Sequence, residues 1–481
     1  MESIWNATCK LPKTEPLSTG CTADVAVIGA GMAGLLTAYM LQKRGVDVIV
    51  IEGAEIACGM TKNTTAKITS QHALIYDRLI TQMGEELAQQ YASANQHAVS
   101  QYRELIQQNH IDCHFEEMPA YVYSLDETDK LKSEVKAANR LGIEAEFVQN
   151  TTLPFAARVR GAVKFPMQAQ FHPLEFIRFL AGELRIYEHT MATKVEENTV
   201  FTPCGNITAK NIVVATHFPF INAPGYYFAR MHQERSYVIA LENAAKLDGM
   251  YIDADNQGYS FRNYENLLLL GGGGHRTGKN KSGGSYAQLR EAAKEFYPDR
   301  TEKYHWSAQD CIPMDGVPYI GHYSSETPNL FVATGFQKWG MSSSMAAAEI
   351  LSDLITEQNN KNAEVFSPQR FHLSASVETL LQDSGQAVTG LLKGAFKIPS
   401  KHLEGVKPGH SGVVEYQGER VGVYKDEQGE VFIVSNKCSH LGCELTWNAD
   451  ELTWDCPCHG SRFDYKGNLI NNPAMHGISD K

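Results

Sequence analysis

Hydrophobic and polar positions along this 481-residue chain change character three times. Near the start, the β-branched run 25–28 is followed at once by Gly29-Ala30-Gly31-Met32-Ala33-Gly34, then by the helical stretch 35–41, then by a second apolar strand over 46–51 that ends on Glu52. This order predicts one βαβ unit with its glycines at the strand-to-helix turn. Longer polar-apolar periodicity predicts helices over 76–109 and 126–141, and a further strand over 211–215 runs into Thr216. From Arg235 to Leu270 the pattern alternates as strands do. The chain then returns to its first layer, with a strand over 329–334, a turn over 335–340 and a helix of Ala, Ser and Met over 341–356. Beyond a polar connection, strand-and-turn signals with Gly405, Gly409, Gly412, Gly418, Gly422 and Gly429 run to Lys481. The expected division is an N-terminal lead 1–21, a nucleotide-binding α/β domain 22–360 with a β-rich layer at about 218–310, a linker 361–397 and a small all-β domain 398–481. No internal repeat or low-complexity tract interrupts it.

Composition narrows the class. At 43% hydrophobic and 20% charged, the chain has the apolar content for several folded units and is not a disordered one. Lys and Arg total 43 against 55 Asp and Glu, a net charge of -12, which speaks against a phosphate-tracking surface for nucleic acid. The first residues carry no basic stretch followed by an apolar core, and the longest apolar runs are strand-length. No membrane span is predicted, and a cytoplasmic location is expected. Ten cysteines are few for this length, but four of them crowd between Cys438 and Cys458.

The glycines of the βαβ unit have separate tasks: Gly29 for the tight turn, Gly31 for close approach of the backbone to a pyrophosphate, Gly34 for close helix-to-strand packing. Met32 and Ala33 open the helix whose free N–H groups and positive dipole end face the phosphates. Glu52, 18 residues after Gly34, is placed to accept from ribose hydroxyls. The fingerprint serves NAD and FAD alike, since both carry the same ADP half.

Over about 22–360 the chain resembles the D-amino-acid-oxidase-like family (glycine oxidase and sarcosine oxidase) of FAD-dependent oxidoreductases. The residues that carry this are Gly29 to Gly34, Glu52, the loop GMTKNTTAK at 59–67, PMDGVPYIG at 313–321 and TGFQKWGM at 334–341. The resemblance implies FAD in a Rossmann-like domain with an inserted β-rich substrate domain. It also implies that Thr64, Thr65 and Ala66 on one side, and Gly335, Gly340 and Met341 on the other, embrace the isoalloxazine ring. Thr216 joins the expected cofactor contacts. Backbone N–H groups of the late turn, aimed at the N1/C2 edge, would favour the reduced flavin. Covalent-flavin members carry a cysteine before the last flavin segment; Cys311 is offset from that place by a few residues and reads as a buried structural thiol. The glycine run 271–274 is followed by no immediate helix and reads as a strand end over the substrate face, not as a second nucleotide site.

Between 438 and 461 the chain reads CSHLGCELTWNADELTWDCPCHGS. Two Cys/His pairs, Cys438 with His440 and Cys456 with His459, are the ligand set of a Rieske [2Fe-2S] centre, and equally of a Cys2His2 zinc site. Over roughly 398–481 the C-x-H-x15-C-x2-H pattern resembles the Rieske domain family. That resemblance implies the cluster, with Cys438, His440, Cys456 and His459 as its ligands and a disulfide between Cys443 and Cys458 bridging the two loops. Gly442, Pro457 and Gly460 shape the loops, and Asn472-Pro473-Ala474 sits where the family has its proline loop. Ser461 matches the serine that hydrogen-bonds a cluster sulfur, but Phe463 stands where high-potential members carry tyrosine. A potential below the top of the family range of about -150 to +300 mV is therefore expected.

A flavin takes two electrons and the cluster moves one, so the pair implies a converter. The whole chain resembles bacterial FAD/Rieske fusion oxidoreductases. The expected function is oxidation of a small substrate at an amine or amino acid C–N bond, with electrons passed through the cluster to an unidentified acceptor. A reductase with reverse flow, drawing on an electron donor, and a non-catalytic redox carrier or sensor use the same parts. A Rieske oxygenase would need mononuclear iron on two His and a carboxylate; no Asp/Glu-x2-His-x3-4-His run is present, and His110 and His114, four apart with Asp112 between them, read as a surface helix end. His172, Arg276 and Lys338 are candidates for the substrate face, Arg276 as a carboxylate clamp, although a structural role suits each as well.

Overall fold

A computed structural model describes residues 2–126, 128–255, 258–280, 282–370 and 405–479. Most of the linker expected over 361–397, and the boundary at 398, lie outside the described residues. The first sheet places Cys21–Ile28 at its centre, parallel to Val48–Ile51 on one side and Ile207–Val214 on the other. Leu330–Thr334 continues it beside Ile207–Val214, so the late strand does return to the nucleotide-binding layer. The central strands are apolar because both faces are covered. The helix Met32–Lys43 covers one face and packs against the helix Gly340–Ile355, through small residues such as Ala38, Ala346 and Ala347.

The second sheet has nine strands and is wider than the layer expected at 218–310. Thr301–Pro313, Met231–Glu242, Leu267–Arg276, Ser260–Tyr264 and Met250–Asp253 form one half. Glu116–Ser124 then joins in parallel with Met250–Asp253 and leads to Gly161–Gln170 and Lys67–Ile68. Strands that far apart in the chain pair only through tertiary register, which alternation in one segment does not reveal.

Three local departures from expectation have plain causes. The helix expected over 76–109 is two, Tyr76–Met83 and Glu85–Gln108, broken at Gly84, whose φ of 85° lies outside the helical region. The lead 1–21, for which no element was expected, carries a helix, Ile4–Thr8, that buries Trp5, whose Nε1 donates to Thr64 O at 2.7 Å. The start of the expected linker is also packed, with Val365 and Phe366 buried and Arg370 paired to Asp315 at 2.8 Å.

The C-terminal domain has two antiparallel sheets, His410–Tyr416, Glu419–Lys425 and Val431–Ser435 in one, Thr446–Asn448, Thr453–Asp455, Arg462–Asp464 and Leu469–Asn471 in the other. Their core gathers Val434, Leu445, Trp454 and Phe463 beside the four crowded cysteines.

Two candidate cofactor sites and the wall between them

The first site is a cavity of about 510 Å³ between the two sheets. Gly29, at φ 110°, makes the turn, and a Cβ there would stand 2.6 Å from Ala215 O. A Cβ on Gly34 would fall 1.9 Å from Gly29 O, so the helix lies against its strand only with glycine at that position. Gly31 caps the helix and faces open space, where a Cβ would meet only Thr61 Oγ1 at 3.5 Å. A cradle that bare suits a pyrophosphate. Glu52 Oε2 accepts from Ala30 N at 2.9 Å and Oε1 from Ala54 N at 3.0 Å, while burial pushes its carboxyl up.

Gly29, Gly31, Met32, Ala33, Glu52, Thr64, Thr65, Thr216, Gly335, Gly340 and Met341 all line this cavity. Gly34 and Ala66 do not. Ala66 is fully buried behind the wall, with its carbonyl accepting from Arg262 Nη1 at 2.7 Å. Gly271, Gly272 and Gly274 border the cavity from inside the strand Leu267–Arg276. The glycine run is thus a stretch of cavity wall without side chains. Cys311 is buried, its thiol pushed up by burial.

Of the three substrate-face candidates, only Lys338 lines the cavity, with Nζ 3.4 Å from Glu234. Burial would raise the Glu234 carboxyl, but His232 and Lys338 hold it down at about 2. His172 lies elsewhere: its Nδ1 accepts from Glu175 N at 3.3 Å, capping the helix Pro173–Glu183, and its ring packs on Trp5 and Tyr264. The His-Pro pair is a helix start, with proline at the first helical position. Arg276 does not line the cavity; its charge bears instead on His459. Two titratable cavity groups had no expected role, Asp310 and Lys67, the latter the last residue of the 59–67 motif. Burial pushes the Asp310 carboxyl up to about 7 against the pull of Lys338. It also brings the Lys67 ammonium down to about 7, with Arg262 adding to the shift. Both sit inside motif-adjacent strands, but only tertiary pairing turns them to the cavity.

The second site brings Cys438, His440, Cys456 and His459 together. The two imidazole rings lie 5.1 Å apart, and the Nδ1 of each is buried with no hydrogen-bond partner among the described residues. Buried orphan nitrogens beside two thiols are what iron ligation would satisfy. Burial pushes His440 down to about 4 and His459 to about 3, so both are neutral imidazoles as metal ligands must be. The Cys438 thiol is drawn down to about 7 by its hydrogen bond with Cys456 above all, with Ser461 also contributing. Cys443 and Cys458 pair, with Cα atoms 6.6 Å apart. Gly442 and Gly460 take φ of 76° and 86° to turn the loops. Ser461 Oγ accepts from Ala474 N at 3.0 Å, tying the ligand loop to the loop that covers it.

The two sites share a wall. Leu469, Ile470, Asn471, Asn472, Ala474 and Met475 of the C-terminal domain line the first cavity. Asn472 Nδ2 donates to Thr216 O at 3.0 Å, and the His440 ring pairs with Asn222 Oδ1 at 2.9 Å through Nε2. Asp450 accepts from Gly284 N and Ser285 N, at 2.9 and 3.0 Å, at the start of the helix Ser285–Phe296. At the centre Glu451 bonds Arg235 and Ser307 of the larger domain and meets Arg462 at 3.0 Å, while Arg462 also holds Asp455 at 3.0 Å. Burial would raise the Glu451 carboxyl, but Arg235 and Arg462 hold it at about 2.

The FAD dependent oxidoreductase family, DAO, matches residues 24–354, and the Rieske [2Fe-2S] domain matches residues 397–480. A Bacillus subtilis (strain 168) protein named as a Rieske 2Fe-2S iron-sulfur protein, YhfW, is 37% identical over 98% of this chain and 96% of its own. Gamma-glutamylputrescine oxidoreductase of Escherichia coli (strain K12) is 22% identical over 71% of this chain and 85% of its own. In structure, glycine oxidase from Geobacillus kaustophilus superposes on 73% of this chain and 99% of its own with a TM-score of 0.62 at 18% identity, a likeness of fold. The cradle at Gly31 fits FAD, and the orphaned His440 and His459 nitrogens beside Cys438 and Cys456 fit the [2Fe-2S] cluster. The chain belongs to the DAO family of FAD dependent oxidoreductases and carries a Rieske [2Fe-2S] domain at its C-terminal side.

Proposed function

We propose that this oxidoreductase oxidises a small amine or amino acid at a C–N bond and hands the electrons one at a time, through its Rieske centre, to an external one-electron acceptor. The observation that carries this is the shared wall: Leu469 to Asn472, Ala474 and Met475 of the Rieske domain border the cavity that fits the flavin. The substrate class is supported by the similarity to gamma-glutamylputrescine oxidoreductase and by the likeness of fold to glycine oxidase.

Bound FAD supplies the acceptor for a hydride equivalent. The chain's own groups do the rest. Gly31 and Ala33 would offer N–H groups to the pyrophosphate, Met32 N being held by Thr61 Oγ1 at 3.0 Å, and Glu52 would accept from the ribose. Thr64 and Thr65 on one side, and the helix start at Gly340 and Met341 on the other, would hold the ring. Asp310, poised near neutrality, takes a proton from a substrate ammonium so that the amine reaches the ring neutral. Lys338, fixed by Glu234, orients the polar end of the substrate. Cys438, His440, Cys456 and His459 would hold the cluster, with the Cys443–Cys458 pair bracing its loops. Eight further cysteines carry no disulfide, which suits a reducing compartment such as the cytoplasm, with the one bridge shielded by burial.

The test is anaerobic mixing of the holoprotein with a panel of amines and amino acids while flavin bleaching and cluster EPR are recorded together. At least one donor is expected to bleach the flavin and then bring up the cluster signal. Bleaching by no amine, with the cluster reduced only by a partner protein, would replace this reading with that of a carrier.

A further inference from the structure

Two buried glutamines stand in the wall between the sites, and neither site uses them. Gln233 lies on the strand Met231–Glu242 and Gln309 on its neighbour Thr301–Pro313, at 1% and 0% exposure. Gln309 Nε2 donates to Gln233 Oε1 at 2.6 Å and to Gly460 O at 2.8 Å. Gln233 Nε2 donates to His459 O at 2.7 Å and to Asn472 O at 3.1 Å. Thr277 Oγ1 donates to Gln309 Oε1 at 3.2 Å, so every polar atom of the pair is engaged.

A primary amide is costly to bury, and apolar side chains would fill the same volume without that penalty. What the amides add is direction. Their targets are carbonyls of His459 and Gly460, in the ligand loop itself, and of Asn472, in the loop that covers it. Both other ends reach the flavin cavity: Gln309 N lies 3.0 Å from Met60 Sδ, Asn472 bonds Thr216 O, and Met60 and Thr216 line the cavity. The approach is close by construction, since a Cβ on Gly460 would stand 2.6 Å from Gln233 Cβ.

We infer that Gln233 and Gln309 are positioning residues that fix the cluster's ligand loop against the wall of the flavin cavity, so that electrons cross in one docked arrangement, without an excursion of the Rieske domain. The inference rests on the function proposed above. Each crossing moves one electron from the reduced flavin to the diferric cluster, which becomes ferric-ferrous, and the one proton that came with the hydride leaves the flavin for solvent over the two crossings. The external one-electron acceptor of the proposed function empties the cluster before the second electron follows.

The test uses the full-length holoprotein with Gln233→Met and, separately, Gln309→Met, which keep bulk and remove the amide. The flavin is photoreduced with EDTA as donor, and the growth of the cluster EPR signal is timed. Both variants are expected to keep FAD, the cluster spectrum and its midpoint potential. The growth of the signal should slow by about tenfold or more, as misplacement of reacting groups does. Hydrogen exchange should rise over residues 456–461 and 469–475. An unchanged rate and exchange in both variants overturns the inference. Loss of the cluster from both, with FAD kept, overturns it too, because the amides would then serve cluster retention. A wild-type cluster that never follows the flavin sinks the underlying function instead, so the two failures are told apart.

Discussion

The flavin cavity and the cluster site meet at one wall, yet they are made in opposite ways. The cavity is shaped by backbone and by missing side chains: Gly29, Gly31 and Gly34 at the turn, and Gly271, Gly272 and Gly274 along the far strand. The cluster site is made by four side chains on two loops, closed in by Phe463, Ala474 and Leu445. A cavity of the first kind tolerates change in most of its lining and fails where added bulk touches backbone. A ligand set of the second kind fails at any one member. Substitutions on either side of the wall therefore separate the two principles.

The largest effect is expected at the ligands. With the proposed ligand set, His459→Ala takes away one of the two imidazole ligands, and the Rieske EPR signal should vanish while bound FAD, read by absorbance after desalting, stays near one per chain. Loss of both cofactors together would mean that the sites are one cooperative unit.

Next in size is the buried ion network that joins the domains. Glu451 is 6% exposed between Arg235 and Arg462, so Glu451→Ala leaves two buried cations short of a partner and should cost about 3–5 kcal/mol, read by denaturant unfolding. The same group sets an acid limit. Its carboxyl is held at about 2, below the ordinary value, so its contribution is complete above about pH 4.5 and lost as pH falls toward 2. That window is worth up to about 3 kcal/mol. Glu451→Gln should flatten the fall of stability with acid, and a slope equal to wild type would remove Glu451 from the account.

A smaller effect separates backbone from side chain on the flavin side. Gly34→Ala places a methyl 1.9 Å from Gly29 O and must push the helix Met32–Lys43 off its strand, at about 1–3 kcal/mol. FAD content should fall while the cluster EPR signal persists. Gly31→Ala, with open space at that position, should spare the fold and weaken FAD alone.

The contrast between the sites also explains what the sequence made legible. Cys438, His440, Cys456 and His459 could be read because the ligand loops hold them at short, fixed spacing, and the glycine turn could be read because strand, turn and helix follow one another. Asp310, Lys67, Gln233 and Gln309 are brought to their places by register between strands far apart, such as Arg235 opposite Gln309, and no local pattern encodes that. The same limit hid the pairing of Met250–Asp253 with Glu116–Ser124. His172 misled for a related reason: a polar residue before proline signals a helix cap as readily as a reactive group, and only the packing of Trp5 decides which.

Arg276 offers the finest discrimination. As a carboxylate clamp it would govern the KM of an amino acid substrate, yet it stands outside the cavity lining and its charge bears on His459. A cation near the cluster favours the added electron, so Arg276→Gln should lower the midpoint potential in an EPR redox titration, by about 1 kcal/mol of interaction or less given its partial exposure. KM for any amine found to reduce the flavin should stay within error. A raised KM with an unmoved potential would return Arg276 to the substrate face, and the wall drawn between the two sites would have to be shifted by the width of the strand Leu267–Arg276.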